Sequence, residues 1–349
     1  RQRREDQDEA IFGEFSYDLT EDLTATAGFR HFKVDNSLRG YFGFSEGYFP
    51  GADYGEAACP GQPPFPNAPC EVFSKEVKEE DTIGRFNLSW QANEDIMLYA
   101  TWAEGFRPGG INRRGTLPPY LSDFLTSLEM GWKMRLADGR LVFNGAVFEQ
   151  DWEDFQFAIL GQNGLTEIKN ANQARIRGLE ADLNWAATYN LTISAGVAFY
   201  DAELSENYCG FTDPDGNPVT DCADPEAPAG SRLPITAEFK GNLRARYAFE
   251  IGGFDAFWQG SVVHEGDRRS DLRIAEGAIL GNLDAYTLVD FSAGIGRGNW
   301  SLDAYVRNVF DERAELSRFA QCAEATCGFQ PYTVVAQPRT FGIRFSQKF

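Results

Sequence analysis

The feature that most constrains this chain is a period-2 alternation carried through most of its length. In the closing stretch, Phe341, Ile343, Phe345 and Phe349 fall on one side of an extended strand, and Thr340, Arg344, Ser346 and Lys348 fall on the other. The pattern recurs upstream. Leu128, Met130, Trp132, Met134 and Leu136 alternate with Glu129, Gly131, Lys133 and Arg135. Leu243, Ala245, Tyr247 and Phe249 alternate with Arg244, Arg246 and Glu250, and Trp300, Leu302, Ala304 and Val306 with Ser301, Asp303, Tyr305 and Arg307. A charged inner face is wrong for a packed soluble core. It suits a strand with lipid on one side and a watery lumen on the other.

The alternation divides the chain into thirteen candidate strands, at 11–20, 23–38, 76–92, 96–109, 125–137, 141–160, 166–187, 191–206, 236–250, 254–272, 283–297, 300–316 and 333–349. Their connections alternate in length. Tight turns fall at Asp22, Asn93-Glu94-Asp95, Asp138-Gly139, Thr188-Tyr189-Asn190, Gly252-Gly253 and Gly298-Asn299. Long loops fall at 39–75, 110–124, 207–235, 273–282 and 317–332, with a shorter one at 161–165. Short turns on one side and long loops on the other are the habit of a membrane barrel. Trp132, Trp185, Trp258 and Trp300 lie toward the short-turn ends, where an aromatic girdle belongs. The expected fold class is therefore all-β, an antiparallel transmembrane β-barrel.

Composition narrows the function. A net charge of −20 excludes nucleic acid as a partner, because such partners need a basic footprint. No run of about 18 apolar residues is present, so the reading contains neither a membrane helix nor a signal peptide. Six cysteines fall in pairs within single long loops: Cys59 with Cys70, Cys209 with Cys222, and Cys322 with Cys327. Local pairing in Pro-, Gly- and Asp-rich loops predicts three disulfides in an oxidising compartment. All three pairs lie on the long-loop side, so two independent features sort to the same end of the sheet.

Several segments resemble TonB-dependent outer-membrane receptors. They are Tyr99–Gly110 with its Gly105-Phe106-Arg107-Pro108-Gly109-Gly110 end, Lys169–Glu180, Tyr305–Asp311 and Pro338–Phe345. The resemblance implies a barrel of about 22 strands with a plugged lumen, of which about 13 are seen here. It also implies that residues 1–349 are the C-terminal part of such a barrel, with plug, coupling segment and signal peptide outside this stretch. Phe349 then resembles the terminal aromatic read by the barrel assembly machinery. The implied location is the bacterial outer membrane, among lipid and lipopolysaccharide, and the implied function is active uptake of a scarce small-molecule ligand. Energy would arrive from the TonB complex through the missing N-terminal part. A ferric siderophore is the leading cargo and an oligosaccharide or other nutrient the next. A passive porin-like channel and a soluble glycan-binding β-sheet protein are the contrasting readings.

No enzyme constellation, cofactor motif or metal site is evident. His31 and His264 stand outside any catalytic motif and read as polar lumen or rim residues. Ligand contacts are expected at the aromatics of the first long loop, Tyr41, Phe42, Phe44, Tyr48 and Phe49, which could equally form that loop's own core. They are also expected at Arg107, Arg113 and Arg114 and at Arg268 and Arg269, where the alternatives are lumen ion pairs and lipopolysaccharide phosphates. The stretch 204–231, free of Lys and Arg, reads as a solvated acidic loop rather than a calcium site.

Overall fold

The computed structural model describes residues 2–40, 73–113, 117–160, 166–213, 217–320 and 330–349. Thirteen antiparallel strands form one open sheet in which every neighbour is also the next long strand in the chain. They are β1 (Gln2–Asp18), β2 (Leu23–Gly40), β3 (Phe73–Asn93), β4 (Ile96–Arg107), β5 (Asp123–Leu136), β6 (Leu141–Glu153), β9 (Gln173–Ala186), β10 (Leu191–Leu204), β11 (Phe239–Ile251), β12 (Phe254–Glu265), β15 (Tyr286–Arg297), β16 (Trp300–Arg307) and β19 (Thr340–Gln347). Three small hairpins stand on the long-loop side: β7 (Gln156–Leu160) with β8 (Thr166–Asn170), β13 (Arg268–Arg269) with β14 (Asn282–Leu283), and β17 (Glu315–Ala320) with β18 (Pro331–Val335). A two-turn helix, α1 (Ile274–Leu280), sits in the loop between β13 and β14.

Register fixes the two faces. Leu302 pairs with both Ile295 and Phe345, and Ala304 with Ala293 and Ile343, so one surface is apolar across the last strands. Asp303 pairs with Gly294 and Arg344, which puts charge on the opposite surface. An Arg facing lipid at the bilayer midplane costs about 2–4 kcal/mol, which decides which surface faces the membrane. On that outer surface Phe341, Ile343 and Phe345 are 71%, 78% and 62% exposed, as expected of side chains whose solvent is lipid. Trp90, Trp185, Trp258 and Trp300 stand on the same surface near the short turns, beside Tyr17 and Tyr247.

The strands differ from the sequence expectation mainly at the long-loop end. β1 begins at Gln2 rather than at residue 11, because Arg3 to Glu9 pair in register with β2 despite their charge. The segment expected at 141–160 breaks after Glu153, where Asp154 takes a left-handed φ of 51°. Its partner breaks at Ala171 and Asn172, and the bend is bridged by Asp154 N–H donating to Asn172 O at 2.6 Å and Ala171 N–H donating to Phe155 O at 2.8 Å. The strand expected at 300–316 breaks similarly at Asn308 (φ 50°) and Asp311 (φ 57°). β1, β2 and β3, with 17, 18 and 21 residues, outrun the roughly 9–11 residues that cross the hydrocarbon. Above the apolar belt their outer surface turns ionic, with Lys33 to Glu80 at 3.0 Å and Lys78 to Asp35 at 3.3 Å. His31 joins this rim at 3.3 Å from Glu80 and 2.9 Å from Thr82 Oγ1.

The main buried apolar cluster lies in the long-loop assembly. Phe155, Ala171, Tyr208, Leu233 and Leu272, from three long connections, pack together with Leu204 at the end of β10. The loops therefore have a core of their own, as compact functional loops do.

Candidate ligand-capture surface

The surface available to a ligand is the inner face of the sheet and the loop assembly above it. On the inner face Tyr99 Oη donates to Glu129 Oε1 at 2.7 Å, and Tyr200 Oη donates to Glu180. Tyr99, Glu129, Glu180 and Asp182 line a hollow of about 550 Å³ over β4 to β12. Toward β19 the sign reverses. Arg244, Arg246, Arg307 and Arg344 line a second hollow of about 330 Å³. Arg246 lies 3.6 Å over the Phe257 ring, and Arg244 donates to Gln259 Oε1 at 2.6 Å. Carboxylates outnumber Lys133 and Lys240 in the first hollow, and arginines outnumber Asp290 and Asp303 in the second.

The loops are clasped to the strand tops by buried polar side chains. Asp123, buried at the start of β5, accepts from Arg107 Nε at 3.1 and 3.3 Å and from Gln156 N–H at 3.1 Å. Gln156 Nε2 in turn donates to Pro108 O at 3.0 Å and Leu121 O at 2.8 Å. Asn170 donates to Leu121 O at 3.1 Å and accepts from Leu121 N–H at 2.9 Å. Asn112 and Ile168 exchange two bonds at 2.7 and 2.8 Å. At the other end Asn308 donates to Glu312 O and Gln337 O, both at 2.9 Å. Burial and the neighbouring Glu226 carboxylate push the Tyr208 hydroxyl above its ordinary range, and burial also raises Glu226.

The expected ligand contacts separate on this frame. Arg107 is held by Asp123 and Gln156 O, and its guanidinium lies 5.6 Å from the Trp152 ring, so it belongs to the clasp. Arg268 is buried and donates to Leu316 O at 3.0 Å and Glu315 O at 2.7 Å, which makes it another clasp. Arg113 is exposed, and Arg269 is half-buried beside the α1 turn. Arg114 and the aromatic set Tyr41, Phe42, Phe44, Tyr48 and Phe49 lie outside the described residues. Cys209 and Cys222 form a disulfide with Cα atoms 6.2 Å apart, while Cys59, Cys70, Cys322 and Cys327 lie outside the described residues. In the acidic stretch Glu206 accepts from Asn172, and Asp213 accepts from Asn217 N–H at 2.8 Å, so both serve local folding. Phe349 lies beyond the ladder of β19, and the tail is tied by Lys348 N–H donating to Asn299 O at 2.7 Å.

Residues 1–309 match the TonB dependent receptor-like β-barrel family. The chain belongs to that family. It is a family of receptors and not of enzymes, and its barrels stand in the outer membrane of Gram-negative bacteria. Among curated proteins the chain is 26% identical over 243 residues to the metal-pseudopaline receptor of Pseudomonas aeruginosa, covering 69% of this chain and 31% of that receptor. It is 23% identical over 111 residues to the pesticin receptor of Yersinia enterocolitica, covering 31% of this chain and 16% of that receptor. The chain therefore spans less than a third of the curated relatives it matches. Among solved structures, the ferric yersiniabactin uptake receptor of Yersinia pestis superposes with a TM-score of 0.75 at 16% identity, covering 100% of this chain and 46% of that one. An unliganded ferric citrate transporter gives 0.66 at 17% identity, covering 100% and 46%. The likeness covers the whole open sheet, which identifies the sheet as barrel wall.

Proposed function

We propose that these residues are the C-terminal barrel wall and outer loops of a TonB-dependent importer of a scarce metal chelate, a ferric siderophore before an oligosaccharide. The observation that carries this reading is the pairing of a polar, charge-divided inner wall with a rigid loop assembly above it. A ligand taken from outside would meet clasped loops first and then a lumen that offers both signs of charge. In that reading the remaining strands and a lumen-filling domain lie in the rest of the protein, which also meets the TonB complex. The barrel assembly machinery recognises the end of β19 with Phe349, and lipopolysaccharide packs against the upper outer surface. The metal-pseudopaline and ferric yersiniabactin receptors support a metal chelate over a sugar, since both names specify one.

The test is uptake by cells expressing the full-length gene in a host lacking its own siderophore receptors. Radioactive iron should enter with at least one supplied siderophore, and only when the host's TonB is intact. Entry that persists without TonB would support a passive channel instead.

A further inference from the structure

We propose that His264, on the lipid-facing surface of β12, binds a phosphate group of an outer-leaflet lipid when its imidazole is protonated. The inference goes beyond the uptake reading and rests only on this sheet being barrel wall in the outer membrane. On the outer face of β12, counted from the short turn, stand Phe254, Ala256, Trp258, Gly260, Val262 and then His264. On β2 the same face carries Leu23, Ala25, Ala27, Phe29 and then His31. Each of the two histidines of the chain is thus the first ionisable group on its strand's lipid-facing surface. At about 3.3 Å per residue and a tilt of about 40°, both lie roughly 20–25 Å above the short turns, at the outer edge of an apolar band about 25 Å tall. Lipid headgroups begin at that level.

The two rings are held alike on one side. His264 pairs directly with Thr287 on β15, and its Nδ1 lies 2.8 Å from Thr287 Oγ1. His31 pairs directly with Thr82 on β3, and its Nδ1 lies 2.9 Å from Thr82 Oγ1. A hydroxyl can accept from Nδ1–H, so either ring can carry a proton on both nitrogens and keep Nε2–H free to donate. The second nitrogen separates them. His31 Nε2 lies 3.3 Å from Glu80 Oε1, and Lys33 shares that carboxylate at 3.0 Å, so a cationic His31 already has its counterion. His264 Nε2 has no partner among the described residues.

The groups around His264 leave its charge uncompensated. The Phe239 ring of β11 lies beside it, with centroids 5.6 Å apart. Leu243, Val262 and Val289 form the apolar row beneath. Lys240 and Glu265, its charged neighbours on the opposite face, pair with each other at 3.0 Å. Toward the loops, Glu238 and Asp267 are both engaged by Arg232, at 3.2 and 3.0 Å. Asp201, the outward carboxylate on β10 beyond Phe199, pairs across the ladder with Arg177. A protonated His264 therefore meets the headgroup level without a protein counterion, and a lipid phosphate supplies one through a charged hydrogen bond.

The experiment measures binding of fluorescent diphosphorylated lipid A to the purified full-length receptor in neutral-detergent micelles, from about pH 8 down to about pH 5. Wild-type affinity should rise about fivefold over that range, the attraction of one added cation to an anionic lipid. His264→Gln should remove the rise, and His264→Lys should hold the higher affinity at both ends. His31→Gln should keep the rise, because Glu80 already neutralises that ring. Lipid A stripped of its phosphates should bind without the rise. Unchanged migration of each variant on unheated gels confirms a folded barrel. A rise that survives His264→Gln, or one equally large with dephosphorylated lipid, would overturn the proposal. Inorganic phosphate displacing the probe at low pH as effectively as unlabelled lipid A does would mark a soluble-anion site and overturn the lipid assignment. Siderophore-dependent iron uptake in the same cells reports on the transporter alone, so loss of either reading leaves the other standing.

Discussion

The Tyr99 ring lies across Gly131, its directly paired neighbour on the next strand, with its hydroxyl 2.5 Å from where a Cβ on residue 131 would stand. The same relationship joins Phe148 to Gly178, Phe257 to Gly294 and Tyr305 to Gly342 on the inner face, and Trp132 to Gly145 on the outer. In each pair the ring covers backbone that glycine leaves bare. This recovers packing that glycine alone forfeits and lets the sheet curve.

Gly131→Val should therefore destabilise the barrel by about 1–3 kcal/mol, because the ring must leave its place or the strands must part. Denaturant unfolding of the full-length protein in detergent checks this. Tyr99→Ser added to Gly131→Val should recover most of the loss; a double variant as unstable as the sum of two losses would refute the pairing.

Asp123 is the hub of the loop clasp. Asp123→Ala should leave Gln156 N–H without its acceptor and the Arg107 guanidinium with Gln156 O alone, and cost the loops about 1–3 kcal/mol. Limited proteolysis should then cut near the β7–β8 hairpin faster than in wild type, with the membrane strands intact. Arg107→Gln should give the same loop phenotype, whereas a direct ligand contact would lose affinity with the loops unchanged.

Asp154 predicts the pH response of that hairpin. Burial raises its carboxyl above the usual range, with Glu153 and Asp123 adding like charge. The folded loop thus disfavours the ionised form. The resulting penalty is fully present above the folded-state value and is relieved as pH falls through it. Loop protection from proteolysis should improve in wild type as pH is lowered toward the ordinary carboxylate range. Asp154→Asn, which also accepts the left-handed backbone, should be better protected at neutral pH and insensitive over the same window.

The Cys209–Cys222 link spans 13 residues, so opening it should free its loop by about 3 kcal/mol of chain entropy. Reduction should expose residues 210–221 to protease. Tyr208 and Ala227, bonded to each other and buried in the loop core, should hold the base of the loop closed. Cleavage spreading to residue 233 on reduction alone would contradict that core.

The sheet was legible because period-2 alternation and turn length are local, repeated signals. All thirteen strands, their order and the two faces of β5, β11, β16 and β19 follow from them. The loop clasps were not legible in the same way. Asp123, Gln156, Asn170 and Asn308 are isolated polar residues whose partners lie up to 49 residues away, and nothing in local sequence marks them as buried. For Arg107 and Arg268 the sequence leaves ligand contact and ion pairing side by side, because a guanidinium in a loop looks the same before its acceptors are known. The one available signal was the glycine pair at 109–110, whose partner is Tyr120 across the loop.

The most direct test of the central claim places a nitroxide at residue 343 or 344 of β19, and at 302 or 303 of β16, in full-length receptor reconstituted in lipid with its cysteines replaced by serine. Electron spin relaxation is then compared under lipid-dissolved oxygen and a water-soluble nickel chelate. Labels at 302 and 343 should respond to oxygen, and labels at 303 and 344 to nickel if the lumen admits it and to neither if the lumen is filled. Oxygen-dominated relaxation at all four positions, or nickel access at 302 and 343, would contradict a barrel wall with one face in lipid.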